Sequence, residues 1–208
     1  MQVTTVLGSP RERGNTATVL GLFEELVAQQ GHAVDRIHIV DYEVNGCLGC
    51  QACQKANREL ACGQQDDAMG IFKRLIASDA VVYATPLYTY GFTAQMKALI
   101  DREYCLVTGS GAEYRSLLKG KRSALLVTCG GGIEGNADLI QTVFDREGEY
   151  QEWDIVGKYI VPNCTTPDEL GARALDTARQ MAIDIMRGQE GPITATNEPV
   201  LTPVGRFA

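Results

Sequence analysis

The feature that most constrains this chain is a short loop near its N-terminus, between an apolar strand and a helix. The run Val3–Leu7 is strand-like, and a helical pattern opens at Thr16. The loop between them carries Ser9, Gly14 and Asn15, and it matches neither a Walker loop nor the dinucleotide fingerprint. A helix N-terminus presents unpaired N–H groups and a partial positive charge, so the loop suits a phosphate monoester. An ordinary turn with Asn15 as the N-cap is the alternative.

Strand and helix patterns alternate along the rest of the chain. The predicted strands are Gln2–Leu7, Ala33–Val40, Ala80–Ala84, Ser123–Thr128 and Asp154–Val161. The predicted helices are Thr16–Gln30, a helix capped by Asp66 or Asp67 that runs to about Ser78, Phe92–Glu103, about Ala137–Glu147, and Pro167–Arg187. This order predicts an α/β fold with a five-stranded parallel sheet and helices on both faces. We expect one domain over residues 1–187, and an extended C-terminal tail over residues 188–208, which contain three prolines and little periodicity.

The loops that follow the strands are the places to look for a ligand, because parallel sheets bind ligands beyond the carboxyl ends of their strands. The loop after the third predicted strand suits a flat aromatic guest, with main-chain N–H groups available to it; its residues are Pro86, Leu87, Tyr88, Thr89 and Tyr90. The loop after the fourth permits close backbone approach; its residues include Thr128, Cys129, Gly130 and Gly131. The alternatives are that the tyrosines cover the sheet edge or a subunit interface, and that the glycines form a flexible turn.

Two groups of residues together resemble a known family. Gly8-Ser9-Pro10-Arg11 with Gly14-Asn15-Thr16, and Thr85-Pro86-Leu87-Tyr88 with Lys97 and Asp101-Arg102, are similar to the NAD(P)H-dependent FMN reductases of the flavodoxin-like superfamily. The resemblance runs from residue 2 to about residue 187. It implies a three-layer sandwich with strand order 2-1-3-4-5 and FMN as the cofactor. One departure is Thr89-Tyr90, where many relatives carry a tryptophan.

The resemblance also implies roles for individual residues. Ser9, Arg11, Asn15 and Thr16 would hold the FMN phosphate, and Gly14 lets the backbone approach it. Residues 86–90 would border the isoalloxazine ring and residues 128–131 would close its other edge. NAD(P)H would pass a hydride to N5 of the flavin, so the protein needs no catalytic side chain of its own. A quinone, free flavin, metal ion or nitro-aromatic would then accept the electrons, and the protein would be a homodimer or homotetramer. A non-catalytic flavodoxin-like binding protein is a further alternative.

A cysteine-rich insertion at residues 46–65 contains Cys47, Cys50, Cys53 and Cys62. Three thiolates at this spacing can surround one metal centre, and the fourth can close it. The motif resembles that of iron–sulfur flavoproteins, although its last gap is slightly longer. It implies a [4Fe–4S] cluster in a one-electron carrier with a ferredoxin as partner. A zinc site and reduced thiols without metal are the alternatives.

Composition excludes several classes of partner and location. The formal net charge is −7 and no lysine–arginine stripe occurs, so we expect neither nucleic acid nor an anionic membrane as a partner. The chain begins directly with a strand, and its seven cysteines are clustered, which favours a cytoplasmic protein over a secreted disulfide framework.

Residues outside these motifs are expected to be structural. Cys105 and Cys164 suit buried positions, and Asp101-Arg102 suits a local ion pair near a helix end. His32 and His38 are isolated in the sequence and pair with no nucleophile.

Overall fold

A computed structural model describes residues 1–55, 59–109 and 113–187. The strands are β1 (Gln2–Leu7), β2 (Ala33–His38), β3 (Ala80–Pro86), β4 (Val107–Thr108), β5 (Arg115–Ser116), β6 (Arg122–Thr128) and β7 (Asp154–Val161). The helices are α1 (Asn15–Gln29), α2 (Ala68–Ala77), α3 (Ala94–Arg102), α4 (Asp138–Gln151) and α5 (Ala172–Met186). The predicted tail, residues 188–208, lies outside the described residues.

The main sheet is parallel and has the order β2-β1-β3-β6-β7. This confirms the predicted flavodoxin-like arrangement, because β6 and β7 are the fourth and fifth strands of that sheet. The strands β4 and β5 pair with each other in a separate two-stranded antiparallel sheet. Leu7 pairs with Ala84, Pro86 with Thr128, and Thr128 with Val161, so the carboxyl ends of four strands meet at one edge.

Apolar side chains cover the sheet on both faces. Helices α1 and α5 pack on one face through residues such as Phe23 and Met181, and α2, α3 and α4 cover the other through residues such as Phe72, Leu99 and Phe144. No helix in the described ranges is both long and apolar enough to cross a bilayer.

The starts of the first and last helices differ from the predictions in their local structure. Helix α1 begins at Asn15 with Gly14 at the N-cap position, so Asn15 is not the cap. The last predicted helix begins with a separate 3₁₀ turn, Pro167–Glu169, and α5 starts only at Ala172. The cause is Gly171, whose φ of 53° interrupts the helical backbone. Gly31 follows α1 with a left-handed φ of 79°.

Candidate functional site

A cleft of about 480 Å³ opens where the strands end, and we call it the carboxyl-edge cleft. It brings together residues from three loops that the sequence singled out: Ser9, Arg11, Gly14, Asn15, Thr16, Pro86, Leu87, Tyr88, Thr128 and Gly130. Cys164 and Thr165 also line it.

One end of the cleft is the N-terminus of α1. No described side chain caps this helix, and its first turn contains no acidic residue. The preceding loop closes on itself, because the Ser9 hydroxyl accepts a hydrogen bond from Arg11 N and donates one to Arg11 O, both at 3.1 Å. A Cβ atom at Gly14 would lie 3.2 Å from that of Arg11, so the loop is too tight for a larger residue to fit without adjustment. The helix therefore offers uncapped N–H groups to an anion.

Four side chains at this end of the cleft carry its polar groups. Asn15 is 9% exposed, and its Oδ1 atom has no hydrogen-bond partner among the described residues. Arg11 is exposed and forms no ion pair in the part of the chain that the structure describes. The hydroxyls of Thr16 and Thr128 lie 2.7 Å apart and join α1 to the end of β6. A phosphorylated guest with hydroxyl groups fits this donor set, because it supplies an anion for Arg11 and a donor for Asn15.

His38 lies behind the same loop, a position that the sequence did not reveal. Its Nε2 atom is 2.8 Å from the carbonyl oxygen of Ser9. A carbonyl oxygen only accepts hydrogen bonds, so Nε2 carries the proton. His38 ends β2, which pairs with β1, and this register places the ring next to the loop that follows β1.

The loop after β3 contains a two-residue turn. Tyr88 and Gly91 exchange two backbone hydrogen bonds of 3.1 Å, and Thr89 and Tyr90 have φ angles of 48° and 64°. Positive φ at both central residues defines a type I′ turn, which normally uses Asn-Gly. Leu87 N donates to Thr128 O at 2.9 Å, whereas the N–H groups of Thr89 and Tyr90 make no backbone hydrogen bond among the described residues.

Thr89 and Tyr90 do not line the carboxyl-edge cleft. The turn places them on a neighbouring groove against Leu139 and Val143 of α4. Tyr88 stays at the cleft and is 40% exposed.

The loop after β6 also differs from expectation, since Cys129 and Gly131 do not line the cleft. Cys129 is buried, and its thiol lies 3.3 Å from Gly131 O; burial raises its pKa. Cys164 and Thr165 line the cleft instead, because β7 is the neighbour of β6 and Cys164 N donates to Cys129 O at 2.9 Å. The strand order would have identified this fourth loop.

A second, smaller pocket contains all four predicted metal ligands, and we call it the cysteine pocket. Cys47, Cys50, Cys53 and Cys62 line it together with Cys105. A Cβ atom at Gly63 would lie 3.3 Å from the Cys50 sulfur, so the segment that carries Cys62 packs closely against Cys50. All these cysteines are free thiols, and within the described residues no group of three or more His, Cys, Asp or Glu side chains is placed to hold a metal ion.

Cys105 differs from the other thiols of this pocket. It is buried, as predicted, and burial together with the neighbouring thiols of Cys62 and Cys53 raises its pKa to about 12. A thiol that resists ionisation is a poor metal ligand, because the thiolate is the form that binds metals. The remaining four cysteines are the donor set that suits an iron–sulfur cluster.

Arg102 also lines the cysteine pocket, and its partner is not the predicted one. It forms a bidentate ion pair with Asp66, at 2.7 and 3.0 Å, in which both side chains are 1% exposed. Asp101 instead pairs with Lys97, so the predicted local pair between Asp101 and Arg102 is wrong. Side chains of neighbouring helical residues point in different directions, whereas Lys97 lies one turn before Asp101.

Each partner of this ion pair stabilises the charged form of the other. The hydrogen bond from Arg102 lowers the pKa of Asp66 to about 2. Burial opposes the charge on Arg102, but the hydrogen bond to Asp66 and the neighbouring Cys62 thiol together raise its pKa.

A buried carboxyl follows Arg102 directly. Glu103 is fully buried, and its Oε1 atom accepts a 3.0 Å hydrogen bond from the Tyr83 hydroxyl. Burial, and then the nearby charge of Glu147, raise the pKa of Glu103 well above its ordinary value. Trp153 stacks on Tyr83 with ring centroids 5.2 Å apart, so it belongs to the core.

Comparison with known proteins adds independent information. A sequence model of the family described as NADPH-dependent FMN reductase matches residues 1–146. An iron–sulfur flavoprotein of Archaeoglobus fulgidus is 34% identical over 192 residues, which cover 91% of this chain and 81% of the relative. An iron–sulfur flavoprotein of Methanosarcina thermophila is 32% identical over 145 residues, or 70% of this chain and 72% of the relative. A solved azoreductase of Bacillus anthracis is 16% identical and has a TM-score of 0.71 over 88% of this chain and 98% of its own, a likeness of fold.

Proposed function

This chain belongs to the NADPH-dependent FMN reductase family, and from that membership we propose that FMN binds in the carboxyl-edge cleft of an NAD(P)H-dependent oxidoreductase. The observation that carries the proposal is the uncapped N-terminus of α1 beside Arg11 and the unpartnered Oδ1 of Asn15. The phosphate would lie against the first N–H groups of α1 and the guanidinium of Arg11. Asn15 would accept a hydrogen bond from a hydroxyl of the ribityl chain.

The flat ring would lie toward the other end of the cleft. Pro86, Leu87 and Tyr88 line this end from β3, and Gly130 lines it from the loop after β6. Bound FMN would supply hydride chemistry at N5, which needs no acid or nucleophile from the protein. Tyr88 is partly exposed at the cleft, so it is placed to contact NAD(P)H and, in turn, the acceptor. We propose a quinone, a free flavin, a metal ion or a nitro-aromatic as that acceptor.

The phosphate assignment is tested by removing its side-chain contacts. Ser9→Ala combined with Arg11→Ala should weaken FMN binding at least tenfold, because a charge-assisted hydrogen bond contributes about 1.5–3 kcal/mol. Arg13→Ala is the matched control, since Arg13 is exposed in the same loop and does not line the cleft. Flavin fluorescence titration measures both. Unchanged affinity in the double variant would refute the phosphate site.

A second candidate function is favoured by the cysteine pocket. We propose that Cys47, Cys50, Cys53 and Cys62 hold a [4Fe–4S] cluster, which would make the protein a one-electron carrier that works with a ferredoxin. The convergence of these thiols in one pocket supports this function, as does the description of two relatives as iron–sulfur flavoproteins. The cluster would exchange single electrons, and two such transfers with a proton would balance one hydride at the flavin.

Anaerobic purification tests the cluster directly. Iron and sulfide analysis with a visible absorption spectrum should show stoichiometric cluster in addition to flavin. Flavin bands without iron after anaerobic reconstitution would eliminate this second function, and would leave the flavin-dependent reductase.

We also propose that the protein is a homo-oligomer. Tyr90, Leu139 and Val143 form an exposed apolar surface beside the cleft, and such surfaces commonly mark subunit contacts. Light scattering should give the mass of a dimer or tetramer, and Leu139→Asp should reduce it; a monomeric wild type would refute the proposal.

A further inference from the structure

The buried guanidinium of Arg102 has hydrogen-bonding capacity that its protein partners do not use. Nη1 donates to Asn45 O at 2.9 Å and to Asp66 Oδ2 at 2.7 Å, and Nη2 donates to Asp66 Oδ1 at 3.0 Å. A guanidinium has five N–H donors in a planar fork. Three of these donors bind Asn45 and Asp66. The two remaining N–H donors, one on Nε and one on Nη2, lie along one edge of the guanidinium plane. Nε is buried without a hydrogen-bond partner among the described residues.

The guanidinium of Arg102 lies at the cysteine pocket. Arg102 is one of the residues that line the pocket, and Cys62 is near enough to its guanidinium to contribute to the raised pKa of Arg102. Asp66 and Asn45 hold the opposite edge, so the guanidinium is fixed in orientation before any guest arrives. A buried N–H without an acceptor destabilises the fold, and a sulfur acceptor in the pocket would remove that cost.

We propose that Arg102 is a positioning residue of the iron–sulfur centre, whose free edge donates hydrogen bonds to the Cys62 sulfur and to a sulfide of the cluster. The inference rests on the proposed [4Fe–4S] function. Four thiolates outweigh the positive charge of the iron–sulfide core, so reduction adds one electron to a group that is already negative. N–H donors directed at the sulfurs stabilise the reduced form of the cluster and therefore raise its reduction potential.

The test replaces the ion pair by a neutral pair of similar shape. Asp66→Asn combined with Arg102→Gln removes both charges together, which avoids leaving one charge buried alone. The matched control is Asp35→Asn with Arg74→Gln, because Arg74 and Asp35 also form a bidentate pair, at 2.6 and 2.8 Å, and do not line the pocket. After anaerobic reconstitution with iron and sulfide, each protein is analysed for iron and for its midpoint potential by EPR-monitored titration with dithionite.

We expect the Asp66/Arg102 variant to lose cluster iron or to show a more negative midpoint potential, whereas the control matches the wild type. Arg102→Lys is a second variant, which keeps a positive charge beside Asp66 but removes the N–H donors of the guanidinium. Its midpoint potential should also be more negative than that of the wild type. Full iron with the wild-type potential in both Arg102 variants would overturn the inference and leave the cluster intact. A wild-type protein that takes up no iron would overturn the cluster itself, and with it this role for Arg102.

Discussion

The ring of His38 donates a hydrogen bond from Nε2 to the carbonyl oxygen of Ser9, over 2.8 Å. Ser9 in turn closes the loop onto Arg11 through its hydroxyl. His38 therefore supports the loop that precedes α1 without itself lining the carboxyl-edge cleft.

His38→Ala should weaken FMN binding about fivefold, because the loss of one hydrogen bond of this kind costs about 1 kcal/mol. His32→Ala is the control: His32 contacts the N-terminal amine at the far end of β1. Fluorescence titration of FMN against the two variants gives the comparison. Equal affinities would show that the loop holds its shape without the histidine.

Glu103→Gln should make stability less dependent on pH. The folded protein keeps Glu103 protonated, since its pKa is raised well above the ordinary value of 4.5, whereas the unfolded chain ionises near that value. The unfolded state therefore gains stability as pH rises above about 4.5, at about 1.4 kcal/mol per pH unit, until the folded carboxyl also ionises. Glutamine retains the acceptor for Tyr83 and does not titrate.

Urea denaturation between pH 5 and pH 8 is the measurement for this substitution. We expect the free energy of unfolding of the variant, relative to that of the wild type, to increase as the pH rises above 5. Glu25→Gln, at an exposed position of α1, should show no such increase. Parallel curves for wild type and Glu103→Gln would contradict the prediction.

Thr89→Asn with Tyr90→Gly should stabilise the protein. Both residues adopt positive φ in a type I′ turn, and left-handed backbone costs a residue other than glycine about 1–3 kcal/mol. Asparagine and glycine relieve that cost, so the melting temperature should rise by several degrees. Gly31→Ala is the opposing control, because its φ of 79° should make alanine destabilising. A lower melting temperature for the turn variant would mean that contacts of Tyr90 outweigh the strain.

Cys53→Ala and Cys105→Ala should differ in cluster content although both residues are buried in the same pocket. The first removes a proposed ligand, so reconstituted iron should fall sharply. The second removes a thiol whose pKa is near 12, and iron should stay at the wild-type value. Iron analysis after anaerobic reconstitution separates them, and equal loss in both variants would mean that Cys105 also ligates the metal.

Local patterns predicted the fold and much of the cleft, because periodicity and loop position depend on neighbouring residues. Ser9, Asn15 and Tyr88 follow strands of the sheet, so a correct strand order places their loops at one edge. The same logic applied to β7 would have found Thr165. The pairing of Arg102 with Asp66 could not be predicted, since 36 residues separate them and no local pattern records their contact. The turn at Thr89 and Tyr90 could not be predicted for a different reason: neither residue is one that a type I′ turn prefers.

Among the described residues, none that lines the cysteine pocket belongs to a strand: they come from the connection between β2 and α2, from the end of α3 and from the turn after it. The strands that support the proposed flavin cleft are therefore separate from the segment that carries the thiols. Changing that one surface connection would add or remove the proposed cluster, and with it single-electron chemistry, without altering the strands behind the cleft.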